Sequence, residues 1–393
     1  MASQEETKVI QKKRNIIIVL STTMCVGIAY GMFNPVFSMY VQTYGLSANV
    51  AGIIIAVATF LCLFGRIGVG SLYLKKNPGT IIRFSLGLML AAYLFLWISS
   101  NLLIIIIAEI IQVFGMGMSV TALSTLAVES TAEEKLGSGV GIFNLSVSFA
   151  QSIAPAIGAY YAGKALYKTL FLSSIIVTII GILLSCAIKT TKRIKQKAVR
   201  SKRKGGFSLS DYISVAALPA AILLILYSIA YSSVYSYVSL CGSSRGISQT
   251  SLFFVISSVM MIITRLVSGK MLDKKEIGYI IIPGYILMIC ALLVIAQANT
   301  LLLFGLGAVL NGIGFCTVQT ALQVMAVRSG NTKGKVLANS TYYVGGDLGL
   351  SVGAYIAGST ASAVGYTNMY ILMAVVSAVG MFTFLWLYKK RKI

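Results

Sequence analysis

Long, unbroken apolar runs recur along the whole chain, and short polar breaks separate them. The apolar positions do not alternate with period two, which is the mark of a barrel strand, so the elements they predict are helices. Twelve such runs are read, over roughly 15–40, 48–70, 80–99, 102–128, 138–162, 169–188, 212–240, 249–271, 278–296, 301–327, 336–360 and 367–388. About 20 residues at ~1.5 Å rise cross the ~30 Å hydrocarbon core of a bilayer. Helices also satisfy their own backbone groups there. One long polar stretch, KTTKRIKQKAVRSKRKGGF from Lys189 to Phe207, falls between the sixth and seventh runs. It divides the expected organisation into spans one to six (1–188), a basic linker (189–210) and spans seven to twelve (211–393).

Composition sharpens this picture. The chain is 57% hydrophobic and only 11% charged, against about 25% charged in a soluble domain. A net charge of +22 raises the question of nucleic acid, but the basic residues sit in short loops and the linker and form no basic helix face. With the N-terminus placed in the cytoplasm, only Lys164, Lys168 and Arg245 of the 32 Lys and Arg fall outside. That bias predicts a multi-pass protein of the cell membrane with both termini cytoplasmic. The polar start and the long first run predict a retained first span and not a cleaved signal. There is no His, and the six Cys are scattered without metal or disulfide spacing, so no cofactor or metal is expected. No phosphate-binding Gly loop, nucleophile–base set or paired carboxylates point to an ATPase or an enzyme. A sensor would want a soluble output domain, and none is read.

The two halves repeat. FGRIGVGSLYLKK (Phe64 to Lys76) matches ITRLVSGKMLDKK (Ile263 to Lys275) at an offset of 199, with Arg66 on Arg265 and Gly70 on Gly269. Gly115 matches Gly314 and Thr121-Ala-Leu123 matches Thr320-Ala-Leu322 at the same offset; GAYYAG from Gly158 matches GAYIAG from Gly353 at 195. The fold class expected is therefore an all-α membrane protein with twelve transmembrane helices in two pseudo-symmetric six-helix bundles around a central cavity. Repeats of this kind place a binding site at the interface of the halves, near the midplane.

The whole chain resembles the major facilitator superfamily. Its loop signature G-x-L-x-D-R/K reads Gly269-Lys-Met-Leu-Asp273-Lys274 in the second half and is degenerate in the first, where Leu74 stands for the acid. Span five resembles the pattern of the drug/proton antiporter branch, with Gly141, Ala150, Ala154, Pro155 and Gly158 at its small or proline positions, although Ile111 stands where that branch carries an Arg in span four. The resemblance implies a monomeric secondary transporter whose partners are protons, a small-molecule substrate and the bilayer. It also implies a cytoplasmic gate with Asp273 pairing with Arg328 beside Arg265; in the first half, where Leu74 replaces the acid, we expect the polarity to be swapped, with Glu129 pairing with Arg66, Lys75 or Lys76.

Of the ten acidic residues, only Glu109 and Asp347 lie clearly within spans. An ionisable group at that depth costs at least ~2.5–3.5 kcal/mol and marks function, so both are candidates for proton coupling. Gly345, Gly349 and Gly353 form a smooth stripe for a neighbouring helix, and Asp347 lies on the opposite, polar face with Ser340, Tyr343 and Ser351. Tyr30, Asn34, Gln112, Gln151, Tyr231, Asn311 and Tyr343 fall on polar stripes and are the candidate substrate contacts. Arg66 and Arg265 are read at the cytoplasmic ends of their spans. No cation is then expected in mid-span, which argues against anionic substrates. Export of lipophilic or cationic compounds coupled to protons is the preferred expectation. Uptake of a small nutrient such as a sugar or nucleoside is the alternative, and a non-transporting sensor a remote one.

Overall fold

The computed structural model describes residues 2–46, 48–188, 213–247, 249–330 and 334–391, so the linker expected at 189–210 lies outside the described residues. The described residues are helical almost throughout. The elements are α1 (Ala2–Phe33), a 3-10 turn (Asn34–Val36), α2 (Phe37–Gln42), α3 (Ala48–Lys75), α4 (Pro78–Ile98), α5 (Leu102–Ser130), α6 (Leu136–Gly163) and α7 (Tyr167–Cys186). They continue with α8 (Leu218–Ser244), α9 (Ser251–Lys274), α10 (Gly278–Gln297), α11 (Leu301–Ser329) and α12 (Gly334–Arg391).

Local sequence sets the helix ends. Asn77 accepts from Gly79 N at 2.9 Å ahead of Pro78, and Asn101 accepts from Leu103 N at 2.9 Å, so α4 and α5 start on side-chain caps. Among the described residues, eleven helices are long and apolar enough to cross a membrane. The expected spans eleven and twelve appear as one helix of 58 residues, broken at Gly365, where φ is +82° and ψ 168°. At ~1.5 Å per residue such a helix is far longer than one crossing takes. Glycine supplies the left-handed conformation needed at the break. Ile98, Leu183 and Leu302 are strongly exposed, which suits a surface solvated by acyl chains.

The chain forms two compact units. One comprises Met1–Thr131, Ile153–Val215 and Gly330–Thr341; the other comprises Ala132–Ser152, Ala216–Ser329 and Tyr342–Ile393. Each thus takes the start of one helix from the other half of the sequence. In the first unit, Asn339 at the start of α12 donates to Ser124 and Thr125 of α5, both at 3.1 Å. In the second, Asn144 of α6 donates to Gln323 of α11 at 2.8 Å. These contacts are repeats of one another: 144 and 339 differ by 195, 124 and 323 by 199.

Inside each unit the helices pack through the repeated glycines. A Cβ on Gly115 of α5 would lie 2.8 Å from the Ser85 carbonyl oxygen and 2.9 Å from Met89 Cγ on α4. A Cβ on Gly314 of α11 would lie 3.0 Å from the Gly284 carbonyl oxygen and 2.9 Å from Met288 N on α10. Positions 85 and 284, and 89 and 288, again differ by 199. The predicted stripe on α12 packs as drawn: Gly345 meets Ala221, Gly349 meets Ile225 and Ser228, and Gly353 meets Ile229 and Ser232 of α8.

Candidate functional site

Among the described residues, the first unit buries Glu109 and Arg66 and the second buries Arg265. Glu109 lies on α5. Helices α4 and α5 run antiparallel, and the close approach of Gly115 to Ser85 and Met89 sets their register. Six residues back along α5, that register brings Glu109 opposite Tyr93 on α4, within electrostatic reach of its hydroxyl. A Cβ on Gly181 of α7 would lie 3.8 Å from Leu86 Cδ2 of α4; counting seven residues along each antiparallel helix from that contact puts Ser174 near the level of Tyr93. Gln112 lies one turn further along α5. Glu109 and Gln112 are both wholly buried. Neither carboxylate oxygen of Glu109, neither amide atom of Gln112, and neither the Tyr93 nor the Ser174 hydroxyl has a hydrogen-bond partner. Asn34 Oδ1, at the end of α1, is also buried and unpartnered. Tyr30 packs with Ile110 against Ala58, Cys62 and Val113, closer to the α3–α5 seam.

In the second unit the charge is Arg265, 3% exposed. It lies nine residues before the end of α9, about 14 Å from it along the axis. Its Nε donates to Ser148 Oγ of α6 at 2.7 Å and its Nη2 to Gln319 Oε1 of α11 at 2.8 Å; Nη1 is buried without a partner. Tyr231, Tyr342 and Cys316 are within electrostatic reach of the guanidinium. Tyr231 stacks on Phe315 with ring centroids 3.8 Å apart and planes at 20°. Tyr343 accepts from Gln323 Nε2 at 3.2 Å, and Asn311 donates to Ser257 Oγ at 2.8 Å while its own oxygen is unpartnered. Asp347 is half-buried, Ser351 donates to its backbone carbonyl, and Gln151 is exposed.

Arg265 and Arg66, read at the cytoplasmic ends of their spans and so set aside as anion contacts, are both buried. Read as hydropathy, each is one polar letter close to a basic loop. In space, Gly141 and Gly269 let α6 and α9 approach so closely that Arg265 is covered.

The second-half gate pair takes partners other than those expected. Asp273 does not pair with Arg328. Its carboxylate accepts from Gly137 N at 2.7 Å, from Ser138 N at 3.0 Å and from the Ser138 hydroxyl, capping the start of α6. Free N–H groups and the positive end of the helix dipole favour a carboxylate there. Arg328 donates instead to the Leu272 carbonyl at 3.2 Å. Glu129 accepts from the Tyr73 hydroxyl at 3.1 Å, and Arg66 donates to Thr121 Oγ1 at 3.3 Å. Arg245 donates to the carbonyls of Ile295, Ala296 and Ala298 and so closes the end of α10.

Comparison with known proteins identifies the architecture. The family model described as Major Facilitator Superfamily matches residues 19–338. The chain belongs to this superfamily. It is 24% identical over 377 residues to an uncharacterized MFS-type transporter, MJ1560, of Methanocaldococcus jannaschii, covering 93% of this chain and 96% of the relative. It is 23% identical over 381 residues to an uncharacterized MFS-type transporter of Burkholderia pseudomallei, covering 93% and 90%. Among solved structures, the fold is similar to the human organic anion transporter MFSD10 (TM-score 0.81, 13% identity, 95% of this chain and 99% of that one). It is also similar to FucP in its outward conformation (TM-score 0.77, 16% identity, 94% and 97%). The chain is thus a superfamily transporter and not an enzyme.

Within the superfamily the span-five pattern has a structural use. A Cβ on Gly31 of α1 would lie 2.8 Å from Ala154, and Gly158 meets the Met32 carbonyl, so Ala154, Pro155 and Gly158 seat α6 against α1. Ala150 is fully buried, and a Cβ on Gly141 would lie 3.1 Å from the Arg265 carbonyl oxygen. Sequence reasoning missed Tyr93, Ser174 and Gln319, which carry no signal until the helix register is known.

Proposed function

We propose that this superfamily member is a proton-coupled secondary transporter that exports amphiphilic small molecules. The observation that carries the reading is Glu109, a buried carboxyl with two unpartnered oxygens and, among the described residues, no cation paired with it. An uncompensated carboxylate in that setting costs several kcal/mol. The group therefore holds a proton in this conformation and releases it where water gains access. Asp347, half-buried on the polar face of α12, serves as the second proton site. The break at Gly365 divides α12 into two crossings, which completes twelve, and residues 1–188 and 211–393 act as the two halves of an alternating-access cycle. Export is favoured by the small-residue contact of α6 on α1, and the aromatic pair Tyr231–Phe315 suits a partly apolar substrate.

Reconstituted vesicles holding a pH-sensitive dye test this. A transported compound should evoke proton flux through the wild type. Glu109→Gln should lower gradient-driven transport by about 100-fold, the lower end of the range for a proton-transfer group. It should leave exchange of labelled for unlabelled compound intact. Undiminished proton flux in Glu109→Gln would remove the reading.

A further inference from the structure

We infer that the second unit holds a carboxylate-binding site at Arg265, and that the compound it carries is an organic anion with an aromatic or other flat apolar body. The inference deepens the transport reading above and rests on it for the word substrate, but the binding site itself stands on separate observations.

A guanidinium keeps its charge under all physiological conditions. Arg265 is 3% exposed, and its two fixed bonds go to neutral oxygens, the Ser148 hydroxyl and the Gln319 amide. Among the described residues, no carboxylate pairs with it. Asp273, the nearest acid along α9, spends both oxygens on the start of α6. A buried charge without a counter-charge costs several kcal/mol, and a bound anion offsets that cost.

The geometry suits an anion as ligand. Ser148 and Gln319 fix Nε and Nη2, so the guanidinium plane is held in place before any ligand arrives. Nη1 is left as an oriented donor with nothing to bond. A carboxylate is the group that matches such a planar fork. Two further features set the rest of the ligand. Tyr231, half-buried, is within electrostatic reach of the guanidinium and presents a hydroxyl close to the charge. Its ring is stacked on Phe315, so the wall beside the charge is aromatic and apolar. A carboxylate on Nη1 with its body along Tyr231 and Phe315 satisfies the charge, the free donor and the wall together. A cation is repelled there, and a neutral compound leaves the charge unbalanced.

The test uses the purified full-length protein and equilibrium binding, with no gradient applied. Sodium benzoate is the probe, read by thermal stabilisation and by titration. Benzyl alcohol and benzyltrimethylammonium chloride are its neutral and cationic counterparts, and sodium chloride supplies an inorganic anion. Benzoate should stabilise the wild type, and the other three should not. Arg265→Lys, which keeps the charge and loses the fork, should weaken benzoate about 10-fold, and Arg265→Gln about 10- to 100-fold. Stabilisation by benzyl alcohol or by chloride equal to that by benzoate would overturn the proposal. So would unchanged benzoate affinity in either variant. If Arg265→Gln fails to fold, the probe panel on the wild type and the Lys variant still decide. Benzoate binding with no proton flux would break the coupling reading and leave this site standing; proton flux with no benzoate binding would do the reverse.

Discussion

The two units share one packing scheme and fill it differently. Gly115 on Ser85 and Met89, and Gly314 on Gly284 and Met288, are the same contact 199 residues apart. Thr121 donates to the Gly117 carbonyl and Thr320 to the Cys316 carbonyl, both at 2.8 Å, again at that offset. Yet the first unit places Glu109 opposite Tyr93, where the second has Ala308 and Leu292, both fully buried. Hydrocarbon satisfies that level of the bundle in one copy, so the unpartnered acid in the other does not follow from the fold. Arg265 and its first-unit counterpart, Arg66, are both buried and both donate to neutral side-chain oxygens. A buried acid in one copy alone is what a transporter needs if one half handles the coupling ion.

The sharpest way to break this comparison is to exchange the fillings. Ala308→Glu should place an unpartnered carboxyl in an apolar layer and cost about 3–5 kcal/mol. Glu109→Met, close in volume, should instead raise stability by about 1–3 kcal/mol, because buried unsatisfied acceptors are removed. It should abolish proton-driven transport at the same time. Thermal unfolding of both variants in one detergent reads the pair. Equal destabilisation by the two would mean that Glu109 has packing partners after all and is structural.

A second exchange probes the shared scaffold. Gly115→Ala and Gly314→Ala each push a methyl to within about 3 Å of a neighbouring helix backbone, and overpacking of that kind costs about 1–3 kcal/mol. The two costs should agree to within about 0.5 kcal/mol, the scatter expected of independent equivalent sites. A large difference in unfolding temperature between the variants would show that the repeat is one of sequence more than of packing.

The helices were legible because a bilayer demands long apolar runs, and the repeat because its offset survives in residues that touch backbone, such as Gly115 and Gly314. The glycine stripe of α12 was legible from helical periodicity alone. Tyr93 and Ser174 were not, since their relation to Glu109 exists only once α4, α5 and α7 are in register. The burial of Arg265 was hidden for a related reason. Hydropathy averages a window along one helix, whereas burial here comes from α6, which approaches through Gly141 and Gly269. The Asp273–Arg328 pairing failed because opposite charges at matching levels suggest a bridge, and sequence does not reveal a helix start competing for the acid.

That competition yields the smallest effect, and the one that separates a cap from a latch. If Asp273 works as a cap, Asp273→Ala should cost about 1–2 kcal/mol, the range for losing a helix N-cap. Arg328→Ala, which loses one bond to a carbonyl, should cost about 0.5–1 kcal/mol. The local readout is amide hydrogen exchange at Gly137 and Ser138, which should quicken in Asp273→Ala and stay unchanged in Arg328→Ala. An ion-pair latch predicts otherwise: both single variants lose the same interaction, and the reversed pair Asp273→Arg with Arg328→Asp regains it. A cap has no such symmetry, since an arginine at 273 brings a positive charge to the positive end of α6. Recovery of exchange protection in the reversed pair would restore the latch and discard the cap.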